Sequence, residues 1–101
     1  MNYKSLKEAA EIFNLTGPVS LKEIKKRHRE LVKEYHPDSG NQPDTEFIKE
    51  INSSYVILLA YCETFRFSFS KDEFYKQHPE EHLIEQFMDD PIWGNGRKNE
   101  T

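Results

Sequence analysis

With 101 residues, 36% hydrophobic, 32% charged and 13% aromatic, the chain has room for one domain, or one domain and a tail, around a small aromatic-rich core. No apolar run approaches the roughly 20 residues that span a bilayer, no charged-then-apolar leader opens the chain, and a single cysteine, Cys62, excludes an internal disulfide framework and a cysteine-based zinc site. The net charge of −4 divides unevenly: residues 20–35 sum to +3 and residues 70–101 to −4, so an anionic partner met at one place is a better fit than a general polyanion.

Leu6, Ala9, Ala10 and Phe13 recur at helical spacing and predict a short first helix over Ser5 to Phe13, which Thr16-Gly17-Pro18 should break. Ser20 and Glu23 form a capping-box pattern at the start of a second helix, with Val19 and Ile24 placed for a hydrophobic staple. Its stripe runs through Leu21, Ile24, His28, Leu31 and Tyr35, and Pro37 disfavours helical geometry at His36, so the helix should stop near Tyr35. Residues 38–44 carry no apolar side chain and predict a loop. A third helix from Asp44 or Thr45 repeats the stripe in Ile48, Ile51, Tyr55, Leu58 and Cys62. Matching stripes joined by a short loop predict an antiparallel hairpin, with the first helix lying across it. Val56 and Leu59 fall on another side of the third helix and need cover from further along the chain.

Beyond Glu63 the alternation Phe65-Arg66-Phe67-Ser68-Phe69 could read as a strand, but a lone strand has nothing to pair with, so a connector is expected. Ser70 and Glu73, flanked by Phe69 and Phe74, repeat the capping-box-and-staple pattern. Pro79-Glu80-Glu81 opens a last short helix with Leu83, Ile84, Phe87 and Met88 on its apolar face, and Asp89-Asp90-Pro91 closes it. Ile92 and Trp93 would dock once more before a disordered end over residues 94–101. The expected fold is therefore all-α: a helix hairpin, a short N-terminal helix across it, and one or two short C-terminal helices.

His36-Pro37-Asp38 sits at the tip of the predicted hairpin, directly after a basic helix. Taken alone, Pro37 stops a helix and Asp38 favours a turn. The run from Ile24 to Asp38, however, resembles the second helix and signature loop of the J domain, the DnaJ-type co-chaperone module. The run Ile48 to Leu58 is similar to that family's third helix, and Ile12-Phe13-Asn14-Leu15, more weakly, to the end of its first. The resemblance spans about Ser5 to Tyr61. It implies a J domain over residues 1–62, a C-terminal extension over 63–93 packing on it, and a tail over 94–101.

The resemblance also implies a mechanism. J domains dock on a DnaK-type heat-shock chaperone and stimulate its ATP hydrolysis, which locks the chaperone onto a client. His36, Pro37 and Asp38 would form the trigger, with Asp38 pairing to a chaperone arginine. Lys25, Lys26 and Arg29 match the family's docking positions, with Lys22 and Arg27 on or near that face. A cationic helix supplies fast, salt-sensitive encounter, and Pro37 pre-orders the loop. Against the family pattern, His28 stands where tyrosine is usual, a packed histidine half-buried between helices. Glu30 and Glu34 replace commonly basic residues, and Ser39 stands where a lysine often follows the trigger. The basic fourth helix is replaced by the aromatic 65–74 stretch, and no Gly/Phe-rich linker, zinc-finger region or client domain follows, so a J domain with its own extension is expected. Phe65, Phe67, Phe69 and Trp93 either enlarge the core with Phe74, Leu83 and Phe87 or present a surface to a partner or unfolded client. An extension folded back on the basic helix would compete with the chaperone.

Other chemistries fit poorly. His78 and His82 are four apart, but Pro79 puts His78 at a helix boundary and no third metal ligand is marked. The 38–41 loop lacks the calcium-loop pattern, Cys62 continues an apolar stripe, and no phosphate loop or nucleophile–base pair is present. No enzyme activity, cofactor or metal is expected. A nucleic-acid-binding module is the alternative class, disfavoured by a pI of about 5.6; a J-like scaffold without ATPase-stimulating activity is another. The remaining expectations are a cytoplasmic monomer with no membrane or nucleic-acid partner.

Overall fold

A computed structural model describes residues 1–36 and 45–89. Pro37 and Asp38, the rest of the predicted loop, Asp90-Pro91, the Ile92–Trp93 docking and the 94–101 tail fall outside the described residues. The chain is all-helical there, with α1 over Tyr3–Ile12, α2 over Leu21–Tyr35, α3 over Thr45–Thr64, α4 over Lys71–Gln77 and α5 over Pro79–Met88. Residues 65–69 are neither helix nor strand, as a connector requires.

Helix α1 starts on Asn2, whose Oδ1 accepts from the Ser5 amide at 2.8 Å. It ends before the predicted breaker at Thr16-Gly17-Pro18. Asn14 takes a left-handed conformation with φ of 55°. The Leu15 amide then reaches back to the Ala10 carbonyl at 2.9 Å and the Asn14 amide to the Glu11 carbonyl at 3.0 Å. These two bonds define a Schellman cap, which tolerates asparagine where most side chains would be strained.

Helix α2 opens on the capping box its sequence contains. The Ser20 hydroxyl accepts from the Glu23 amide at 3.1 Å, and Glu23 Oε1 accepts from the Ser20 amide at 2.7 Å. The hydrogen bond from the Ser20 amide foremost, then the Ser20 hydroxyl, holds the Glu23 carboxyl below its ordinary value, with Lys26 adding a smaller push the same way. Val19 stays 39% exposed, so the predicted staple buries little. At the other end His36 is already extended, with ψ of 144°, because the residue before a proline cannot continue a helix without a clash.

Met1–Phe65 form one compact unit. Its core is Ala9 and Phe13 of the α1 end, Ile24 and Leu31 of α2, and Ile51 and Leu58 of α3, with Phe13 and Ile51 completely buried. Each large side chain so buried contributes about 1.5–3 kcal/mol relative to exposure. Both α1 and α2 pack on α3, so the longest helix is the shared wall. His28 meets Tyr55 while Tyr35 meets Phe47, at 3.8 and 4.7 Å between ring centroids. Rising numbers on α2 face falling numbers on α3, which makes the pair antiparallel. Leu21, at the outer end of the α2 stripe, is exposed. Val56 is 65% exposed and Leu59 half-buried.

Arg66–Thr101 form the second unit. Ser70 caps α4 by accepting from the Glu73 amide at 3.2 Å, while the Glu73 carboxylate accepts from the Gln77 side chain. The staple expected between Phe69 and Phe74 is missing, since Phe69 is 93% exposed. Pro79 occupies the first turn of α5, where its missing N–H costs nothing. The two short helices meet through polar groups. The Tyr75 hydroxyl donates to Glu85 Oε2, Lys71 pairs with Glu85 Oε1 at 3.4 Å, and the Tyr75 and His82 rings stack at 4.4 Å. No residue of α4 or α5 is buried, and Leu83, Ile84, Phe87 and Met88 are all exposed.

Candidate docking site

At about 100° per residue, Lys22, Lys25, Lys26, Arg29 and Lys33 fall within one arc of roughly 100° on α2. Their side chains are exposed, and the buried stripe of Ile24 and Leu31 lies on the far side of the helix. Packing against α3 thus turns the cationic stripe outward, and the capping box fixes where it begins. Lys33 is the member that motif matching overlooks. Its place follows from spacing alone, four residues beyond Arg29 and seven beyond Lys26.

The stripe runs toward His36, exposed at the C-terminal end of α2 in the extended conformation that Pro37 imposes. Pro37 and Asp38 follow it directly in sequence.

Arg27 stands apart from its cationic neighbours. It projects about 140° around the axis from the middle of the stripe. Its Nε donates to the Phe13 carbonyl at 3.2 Å, and its Nη1 lies 3.6 Å from Glu30 Oε1, leaving the side chain 36% exposed. Glu23, Glu30 and Glu34 share this flank of α2, so the basic face has an acidic border.

Behind the stripe His28 stacks on Tyr55 with 3° between the ring planes. Phe13 lies parallel to both rings at 6.2 Å. His28 Nε2 is 3.0 Å from Asn52 Oδ1, within hydrogen-bonding distance. The histidine is half-buried between helices, as expected, and joins α2 to α3 by both a ring face and a hydrogen bond. Such parallel aromatic contacts add about 0.5–1.5 kcal/mol beyond area burial.

The other candidates lie from Phe65 onward. Phe65, Phe67 and Phe69 are exposed, as are Phe74, Leu83 and Phe87, so none of these six is a core residue. Trp93 lies outside the described residues. His78 and His82 each face an aromatic ring, Phe74 at 5.0 Å and Tyr75 at 4.4 Å. No group of three metal-binding side chains occurs among the described residues, and no helix there is long and apolar enough to cross a membrane.

Residues 10–61 match the family model described as the DnaJ domain. Among curated proteins, the chain is 43% identical over 54 residues to the chaperone protein DnaJ of Hydrogenobacter thermophilus, covering 52% of this chain and 15% of that one. It is 43% identical over 53 residues to chaperone protein DnaJ 2 of Aquifex aeolicus, covering 52% and 14%. To the DnaJ of Methanothermobacter thermautotrophicus it is 43% identical over 49 residues, covering 48% and 13%. The chain thus spans 15% or less of the length of these relatives. No solved structure gives a significant match.

Proposed function

Because the chain belongs to the DnaJ-domain family, we propose that its first 62 residues act as a co-chaperone: they dock on a DnaK-type heat-shock chaperone and stimulate its ATP hydrolysis. The observation that carries this reading is the outward cationic stripe of α2 running to His36, with Pro37 and Asp38 next in sequence, inside the segment that matches the family. Lys22, Lys25, Lys26, Arg29 and Lys33 steer the helix onto an acidic chaperone surface, and their attraction weakens as salt rises. His36 and Asp38, spaced by a proline that removes one backbone freedom, make the short contact that triggers hydrolysis. No chemistry is assigned to the chain itself; the bond broken is ATP's, in the partner.

The extension over residues 63–93 takes the second task. Its exposed Phe65, Phe67 and Phe69 support a role in contacting an unfolded client or another partner.

Single-turnover ATP hydrolysis by a DnaK-type chaperone tests the main reading. The parent chain should accelerate the turnover, and Asp38→Asn, which keeps the shape but removes the charge, should abolish most of that acceleration. A chaperone that answers a control J domain yet ignores the parent chain would leave this protein a scaffold with a J-like fold.

A further inference from the structure

At the C-terminal end of α1, three carbonyls are taken up by the helix end itself. Ala9, Ala10 and Glu11 accept from the Phe13, Leu15 and Asn14 amides at 3.2, 2.9 and 3.0 Å. The Phe13 carbonyl, on a residue that is completely buried, instead takes its hydrogen from Arg27 Nε of α2 at 3.2 Å. A peptide oxygen in such a place needs a partner, and a cationic donor at a helix C-terminus is the strong kind. The second guanidinium nitrogen is turned to Glu30 at 3.6 Å, which anchors the fork from its outer side. Arg27 is therefore spent inward, on the join between α1 and α2, although it sits amid the residues whose charge faces out.

We propose that Arg27 is a positioning residue: it latches the end of α1 to α2 and so sets which stripe of α2 faces outward, while the partner's charge is read by Lys22, Lys25, Lys26, Arg29 and Lys33. This separates one arginine from the docking set to which sequence matching assigns it. The docking half of the inference rests on the chaperone reading above; the latch half stands on this chain's own stability.

Glutamine decides the matter, because its side-chain nitrogen occupies the place of arginine Nε without the charge, whereas methionine has the same reach and no donor. The thermal unfolding midpoint and the affinity for a DnaK-type chaperone in its ATP state are measured for the full chain and for Arg27→Gln, Arg27→Met and Lys26→Gln. Arg27→Met should lower the midpoint by roughly 5–10 °C and weaken binding, and Arg27→Gln should restore most of both. Lys26→Gln should leave the midpoint alone and weaken binding roughly two- to fivefold, with a shallower salt dependence. The proposal is overturned if Arg27→Gln weakens binding as much as Lys26→Gln does, or if Arg27→Met melts with the parent. Should the parent not bind the chaperone at all, the docking reading fails, and the midpoints of the two Arg27 variants still decide the latch.

Discussion

Asn14 shows how much one backbone angle can carry. Its φ of 55° lets the chain leave α1 and turn toward the capping box of α2, and it stands next to Phe13, a completely buried core residue. Glycine adopts that conformation freely and asparagine at modest cost, but a β-branched side chain does so only under strain. Asn14→Gly should therefore leave the thermal midpoint unchanged or slightly raised. Asn14→Val should cost about 1–2 kcal/mol, which is roughly 4–16 °C in so small a domain. Circular dichroism melts of both variants check the pair, and equal melting would remove the cap from the account. At the same scale His28 and Arg27 divide the labour at the α2 interface. His28 bonds to α3 through Asn52 and Tyr55, and Arg27 bonds to the end of α1 through Phe13.

Among the helices, α2 is the one whose ends its sequence specifies most fully: the capping box at Ser20 and Glu23, and Pro37 just beyond His36. Helices α4 and α5 are built differently, on a polar junction. The Tyr75 hydroxyl donates to Glu85, and that bond, more than the surrounding carboxylates, raises its pKa from 10.0 to about 12. A group whose pKa rises on folding contributes stability that is intact below the unfolded value. That contribution is lost as pH climbs through the folded one. The α4–α5 pairing should therefore hold unchanged to about pH 10 and loosen toward pH 12, where a tyrosinate would face the Glu85 carboxylate. Tyr75→Phe should abolish this alkaline transition. Ultraviolet difference titration of the tyrosines, read beside helicity, checks it: a late-titrating tyrosine that survives in Tyr75→Phe would refute the assignment.

For the molecule as a whole, every buried side chain among the described residues lies in the Met1–Phe65 unit, and none lies in α4 or α5. The cooperative part of unfolding should belong to the first unit. A chain ending at Phe65 should keep a sharp thermal transition within about 5 °C of the parent and keep its stimulation of the chaperone. A broad, early melt would mean that residues 66–101 complete the core. Better stimulation by the shortened chain would instead point to the extension competing for the basic face of α2.

The helical layout was legible from residue spacing because the signals are local. A capping box, a proline after the last turn, and apolar residues three and four apart act within a few residues of one another, and a reader needs no partner strand to see them. The core was legible for the same reason: Ile24, Leu31, Ile51 and Leu58 lie on the stripes their spacing defines. His36-Pro37-Asp38 could be named as a motif, although Pro37 and Asp38 lie outside the described residues. Where local rules misled, a distant contact or its absence was responsible. Phe69 and Phe74 satisfy the spacing of a staple, yet Phe69 is exposed, since spacing cannot say which neighbours arrive. Helix α1 does end within one residue of the predicted Phe13, but on the left-handed turn of Asn14 and not on the Gly-Pro pair. Arg27 is the sharpest case. Along the chain it is one more cation in a basic run; only the folding of α1 onto α3 brings the Phe13 carbonyl within 3.2 Å and gives that charge an inward task. Periodicity reports which face of a helix a side chain is on, and contacts between residues far apart in the chain determine what that face meets.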